Sequence, residues 1–162
     1  MKTLLILRHA KAENRGKETV QADHPRTLTE RGRAEASEAG TRLAGRGVPL
    51  DLIVSSDARR AYQTAVLAAA ELPRAVPIRP EPLIYDAGID TLLKVVGDLP
   101  DRAGSVMVVG HNPGFESLAE ALSGQACALP TGAVACVTFA VDHWSQVREG
   151  TGTLAWLDAP GT

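Results

Sequence analysis

Thr3-Leu4-Leu5-Ile6-Leu7-Arg8-His9 is an apolar run of Leu and Ile that stops abruptly at two basic side chains. A short continuous apolar run suits a strand buried on both faces, the environment of a parallel sheet covered by helices. The pattern recurs twice downstream. Asp51-Leu52-Ile53-Val54-Ser55-Ser56 closes on two serines, and Ser105-Val106-Met107-Val108-Val109 closes on Gly110-His111-Asn112-Pro113. Strands of this kind, separated by helical stretches, predict an α/β fold with a largely parallel sheet.

The intervening segments fit that plan. Residues 11–26 are polar and read as a loop. Thr29 offers an N-cap after Leu28, and Ala34, Ala36, Ala39, Leu43 and Ala44 form a helical stripe ended by Gly45 and Gly47. Residues 58–71 are Ala-rich, with Tyr62, Val66 and Leu67, and predict a helix behind a capping Ser56 or Asp57. Pro73, Pro77, Pro80 and Pro82 punctuate an extended stretch with room for a short strand at 76–79. A helix fits 89–99, and Pro113 or Gly114 opens another through Leu122. Residues 133–141 and 153–157 read as two strands joined by a polar turn, which gives the sheet an antiparallel edge. With no repeat, linker or low-complexity segment, the expectation is a single domain over residues 1–162. Its fold class is a three-layer α/β/α sandwich with a mostly parallel central sheet and an antiparallel edge strand.

Composition bounds the function. The chain has 162 residues, 44% of them hydrophobic and 22% charged, ordinary values for a folded protein. Two Trp, two Tyr and two Phe are the only aromatic residues, so the core must rest on Ala, Val, Leu and Ile. A disordered tail, a collagen-like repeat and a disulfide-stapled miniprotein are excluded. The net charge of -2 argues against a nucleic-acid partner, although 17 basic residues leave room for a local anion pocket. The apolar run at 4–7 is too short for a signal peptide, and nowhere do 18 apolar residues follow one another; a cytoplasmic protein with no membrane partner is expected. Cys127 and Cys136 lie among apolar neighbours without metal-ligand spacing and read as buried, inert thiols.

In open α/β sheets, ligands bind beyond the carboxyl ends of the strands. Here those ends would deliver Arg8 and His9, then Ser55 and Ser56 with Arg59 one helical turn on, then His111 and Asn112. Each has a plainer reading alone: a histidine past a strand is often structural, and Arg59 could sit on a helix surface. Their convergence favours a site. Metal hydrolases mix His with carboxylates, whereas arginine beside a would-be ligand repels a divalent cation. Guanidinium forks match phosphate oxygens, and a histidine among them can attack phosphorus and carry the phosphoryl group. An oxyanion pocket with neither metal nor cofactor is the expectation. His24 and His143 lie in polar stretches and read as solvated.

Leu7-Arg8-His9-Ala10, Ser55-Ser56-Asp57-Ala58-Arg59-Arg60-Ala61 and Val109-Gly110-His111-Asn112-Pro113 together resemble the histidine phosphatase superfamily, which includes the cofactor-dependent phosphoglycerate mutases. Arg-His-Ala in place of Arg-His-Gly, the segment Arg26-Thr27-Leu28-Thr29-Glu30-Arg31-Gly32 and the small size look most like the SixA-type phosphohistidine phosphatases. The resemblance covers about residues 3 to 158 and implies a phosphoglycerate mutase-like fold. It also implies that His9 is the nucleophile, that Arg8, Arg26 and Arg59 bind phosphate, and that protonated His111 is the second histidine of the pocket. Asn112 either contacts substrate or shapes the turn before Pro113. Larger members have a glutamate acid in the region corresponding to Glu81-Pro82-Leu83-Ile84-Tyr85-Asp86; Asp86 is the candidate here, with helix capping or loop solvation as its other reading.

The implied reaction is phosphoryl transfer to His9 followed by hydrolysis. Its expected substrate is a phosphohistidine on a signalling phosphotransfer protein, because imidazole leaves with little acid assistance and a short chain has few residues to cover its pocket. A small phosphomonoester such as a sugar or nucleotide phosphate is the alternative. A phosphoglycerate mutase fits less well, as does a non-catalytic phosphate-binding module. Oligomeric state is left open, since the edge strand could pair with another copy or stay solvated.

Overall fold

A computed structural model describes residues 1–14 and 18–161. Its elements are β1 (Lys2–Arg8), α1 (Val20–Asp23), α2 (Glu30–Arg46), β2 (Leu52–Ser55), α3 (Arg59–Ala69), β3 (Ile78–Pro80), α4 (Ile89–Gly97), β4 (Ser105–Gly110), α5 (Gly114–Ser123), β5 (Val134–Phe139) and β6 (Gly152–Asp158), with 3-10 turns at Pro82–Ile84 and Trp144–Gln146. The six strands form one sheet in the order β3-β2-β4-β1-β5-β6. The first four are mutually parallel, β5 runs antiparallel to β1, and β6 runs antiparallel to β5.

Both faces of the sheet are covered. Successive β1 residues point to opposite sides. Leu4 and Ile6 pack with Leu92 and Val96 of α4 and with Phe115, Leu118 and Leu122 of α5. Leu5 and Leu7 pack with Ala39 and Leu43 of α2 and with Ala61, Ala65 and Ala68 of α3. All four β1 residues are fully buried, which is why the strand reads as continuous apolar sequence rather than alternation. The resulting three-layer α/β/α sandwich matches the phosphoglycerate mutase-like arrangement of a mostly parallel sheet with an antiparallel edge.

Aliphatic helices can approach closely. A methyl group on Gly40 of α2 would lie 2.2 Å from the Ala68 carbonyl oxygen of α3, so only glycine fits that crossing. Helix α2 begins as the sequence predicts: the Thr29 hydroxyl accepts from the Gly32 amide at 3.0 Å, and Gly47 ends the helix at φ 67°. Both cysteines are buried and free. Among the described residues, no helix is long and apolar enough to cross a membrane.

Three local expectations change. The polar stretch 11–26 contains the four-residue helix α1, capped by the Thr19 hydroxyl. Helix α3 starts at Arg59 behind Ala58 and has no side-chain cap of its own; the Ser56 hydroxyl accepts the Ala58 amide instead. Between β5 and β6 the chain makes more than a polar turn, burying Trp144 against Phe139.

Candidate active site

Register brings the site together. Arg8 at the end of β1 lies beside Gly110 of β4, and Ser55 of β2 lies beside Val109, so three strands end at one level. The His9 amide donates to the Gly110 carbonyl at 2.9 Å, and the Gly132 amide donates to the carbonyls of Arg8 and His9 at 3.1 and 3.2 Å. The Ala10 amide donates to Thr64 Oγ1 at 3.0 Å, tying this loop to α3. The backbone around His9 is therefore held by β4, by the turn that leads into β5 and, through Ala10, by α3.

Beyond these strand ends lies a cavity of about 690 Å³, lined by Arg8, His9, Lys11, Asp23, Arg26, Arg60, Tyr85, Asp86, His111 and Asn112, among others. The His9 and His111 ring centroids are 5.3 Å apart. His9 Nδ1 lies 2.7 Å from the Ala10 carbonyl oxygen, a partner that can only accept, so Nδ1 carries the proton and Nε2 keeps its lone pair. Burial, then the charges of Arg60, Arg8 and Arg26, push His9 down to about 4 despite the opposing hydrogen bond to Ala10. At neutral pH its ring is uncharged, with the lone pair of Nε2 free to act as a nucleophile.

Three nitrogens on cavity-lining residues are buried without a hydrogen-bond partner among the described residues: Arg8 Nε, Arg60 Nε and His111 Nδ1. Their side chains are held by their other nitrogens. Arg8 Nη1 donates to the Leu129 carbonyl at 2.9 Å, Arg60 uses both Nη atoms on Asp23, and His111 Nε2 lies 2.8 Å from Ser56 Oγ. Buried nitrogens without partners are costly, and an anion seated among these donors would satisfy them.

The arginine from α3 is not the expected one. Arg60 is 5% exposed and lines the cavity, whereas Arg59 is exposed and points away. The buried face of α3 is Arg60, Ala61, Thr64, Ala65 and Ala68, a helical stripe that excludes position 59. Arg60, not Arg59, is thus the α3 arginine that lines the cavity.

Arg26 lines the cavity as expected, but a carboxylate holds it there. Asp23 Oδ1 accepts from Arg26 Nε at 2.8 Å, while Oδ2 accepts from Arg60 Nη2 at 3.0 Å and from the Tyr85 hydroxyl at 2.5 Å. Arg26 Nη1 also donates to the Glu13 carbonyl. Burial alone would raise the Asp23 carboxyl, but the Tyr85 hydroxyl, Arg60 and Arg26 outweigh it and hold Asp23 below its usual range. Burial together with the bond to Asp23 raises Tyr85 to about 12. Neither Asp23 nor Tyr85 was legible as a site residue: α1 has no apolar stripe to announce it, and Tyr85 sits in a proline-broken segment.

Asn112 resolves toward its structural reading. Its amide Nδ2 donates to the Leu129 carbonyl at 2.9 Å and its Oδ1 accepts from the Glu116 amide at 3.2 Å, so both ends are engaged within the protein. Asp86 lines the cavity but is exposed, at φ 54°. His111 departs from the expected cation: burial, then the neighbouring His9 and Arg60, push it down to about 3 against the opposing charge of Asp23, so the ring is neutral. His24 is also less solvated than expected, with Nε2 3.0 Å from Asp57 Oδ1 and its ring against Tyr85. His143 is exposed and meets Asp101 at 3.0 Å. Among the described residues, no three His, Cys, Asp or Glu side chains gather to hold a metal ion.

The model of the histidine phosphatase superfamily, branch 1, matches residues 4–88. The chain belongs to the histidine phosphatase superfamily. A protein of Mycobacterium tuberculosis is 30% identical over 150 residues, spanning 86% of this chain and 92% of its own. Among solved structures, a protein from Agrobacterium tumefaciens put forward as the phosphohistidine phosphatase SixA is 29% identical, with a TM-score of 0.82 over 98% of both chains. The protein histidine phosphatase SixA in complex with tungstate is 25% identical, with a TM-score of 0.81 over 98% of this chain and 97% of that one. These likenesses mark the protein as a phosphatase, and within the histidine phosphatase superfamily its cavity is the natural place for that chemistry.

Proposed function

We propose that this protein removes a phosphoryl group through a phospho-His9 intermediate, and that its substrate is a phosphohistidine borne by a signalling phosphotransfer protein. The observation that carries the reading is His9 itself: Nδ1 tied to the Ala10 carbonyl, Nε2 free, and the ring surrounded by Arg8, Arg26, Arg60 and His111. Nε2 attacks phosphorus as the P–N bond of the substrate's phosphoimidazolium, protonated on its other ring nitrogen, breaks, and the electron pair of that bond stays with the departing neutral imidazole. The guanidinium groups hold the equatorial oxygens and offset their charge, in place of a metal ion. Water then attacks the phosphorus of phospho-His9; the P–Nε2 bond breaks, its electron pair returns to Nε2, and the proton of the water leaves with the released phosphate.

The acid–base inventory supports the substrate class. An alkoxide leaving group needs a proton in the transition state, whereas imidazole, whose conjugate acid ionises near neutrality, needs far less. Neither cavity carboxylate suits a general acid: Asp23 is held ionised by two arginines and a tyrosine, and Asp86 is exposed. The names of the SixA-like structures point the same way. A second reading, a small phosphomonoester, is favoured by the size of the cavity, since about 690 Å³ exceeds what a phosphoryl group and one ring require.

Incubation with a phosphohistidine-bearing phosphotransfer domain and with a panel of sugar and nucleotide phosphates, chelator present throughout, decides between them. Rapid dephosphorylation of the protein substrate is expected, and His9→Ala should abolish both turnover and the acid-labile phosphoenzyme. Turnover confined to the monoesters would overturn the substrate class, loss of activity in chelator the metal-independent mechanism, and activity retained by His9→Ala the nucleophile.

A further inference from the structure

Ser56 lies at the carboxyl end of β2 and is fully buried, and its hydroxyl meets only two polar partners among the described residues. Its Oγ accepts the Ala58 amide at 3.2 Å and lies 2.8 Å from His111 Nε2. A hydroxyl has one proton to give, and a buried one requires an acceptor for it. The Ala58 amide can only donate, so the acceptor is His111 Nε2. A ring nitrogen that accepts carries no proton. The proton of neutral His111 therefore sits on the other nitrogen, Nδ1, which is buried without a partner among the described residues, on a ring 5.3 Å from that of His9.

We propose that Ser56 is a positioning residue that fixes His111 as the neutral Nδ1–H tautomer, so that the ring offers an N–H to the phosphoryl group without being protonated. The inference rests on the phosphatase reading for its consequence, but the tautomer follows from the hydrogen bonds of Ser56 alone. The surroundings favour a neutral donor. Burial, then His9, Arg60 and His24, disfavour a positive ring against the opposing charge of Asp23, and the Tyr85 ring packs edge-on at 5.6 Å. A donor that needs no proton uptake keeps the cage intact at pH values where an imidazolium would have been lost.

Nitrogen NMR of the ligand-free protein labelled at its four histidines tests the tautomer directly. His9 is an internal reference, because the Ala10 carbonyl holds it in the Nδ1–H form independently of Ser56. At pH 7 the His111 signals are expected to show a protonated Nδ1 and an unprotonated Nε2, and Ser56→Ala should shift that population toward Nε2–H while His9 stays unchanged. A proton on Nε2 in the unaltered protein, or an imidazolium at pH 7, would overturn the proposal. So would an Nδ1–H ring that persists unchanged in Ser56→Ala. The kinetic counterpart is a loss of about tenfold or more in kcat for Ser56→Ala, since a mis-set histidine tautomer is costly in the unrelated Ser-His-Asp triads, with partial rescue by Ser56→Thr. Absence of any turnover by the unaltered protein would defeat the phosphatase reading and leave the NMR result standing.

Discussion

Two adjacent arginines on α3 have opposite fates, and the difference is one of helical phase. Arg60 sits on the face that carries Ala61, Thr64 and Ala68, and its two Nη atoms are bound to Asp23. Arg59 lies a further 100° round the helix axis and faces solvent. Removing one preorganised donor from an oxyanion site costs about 3 kcal/mol of transition-state stabilisation. Arg60→Ala is therefore expected to lower kcat/KM by about a hundredfold, while Arg59→Ala stays within about twofold of the unaltered protein. Steady-state kinetics on any turned-over phosphoester or phosphohistidine substrate measures both, and equal losses would contradict the assignment. The sequence Arg59-Arg60 alone offered no choice between them. The phase becomes readable only when Arg60, Thr64 and Ala68 are taken as one stripe, and its polar members are there because Arg60 reaches Asp23 while Thr64 accepts the Ala10 amide.

At the scale of elements, the strands were the most legible part of the chain. β1, β2 and β4 are buried on both faces, and burial of that kind leaves a direct mark as apolar runs ending in reactive residues. Helix α2 was also plain, since its Thr29 cap and Gly47 terminus are local devices. Helix α1 was not, because four residues with none buried carry no periodic signal, and its use lies entirely in presenting Asp23 to residues far along the chain. Close packing of α2 on α3 depends on a feature equally silent in sequence. Gly40 and Gly45 look alike there, yet a methyl group at 40 would meet backbone at 2.2 Å while position 45 has nothing within 4 Å. Helix propensity favours alanine at both by about 1 kcal/mol. At position 40 the required backbone shift outweighs that gain, because overpacking costs about 1–3 kcal/mol. Gly45→Ala should thus raise the denaturant midpoint and Gly40→Ala lower it; two changes of the same sign would show that the α2–α3 crossing is looser than described.

At the scale of the whole molecule, two buried histidines make folding sensitive to acid. His9 and His111 are buried among arginines and depressed to about 4 and about 3, whereas in an unfolded chain both return to about 6.5. Between those values the unfolded chain binds protons that the folded chain refuses, so stability rises with pH and is lost as pH falls from about 6.5 through about 4 and then about 3. Asp23 acts in the same direction below its ordinary range, since its depressed carboxyl must be protonated on unfolding in acid. Near pH 5 the two histidines alone imply uptake of roughly two protons on unfolding. The melting temperature should therefore drop steadily between pH 7 and pH 4.5, and His111→Gln should flatten that dependence by removing one of the two groups. Inorganic phosphate is expected to raise the melting temperature at pH 7, because an anion in the cage binds only the folded chain and meets the unpartnered nitrogens of Arg8, Arg60 and His111. Melting curves across pH with and without phosphate measure both effects. A flat profile in the unaltered protein would mean that the histidines are not held neutral by the fold, and a phosphate effect that survives Arg60→Ala undiminished would place the anion elsewhere.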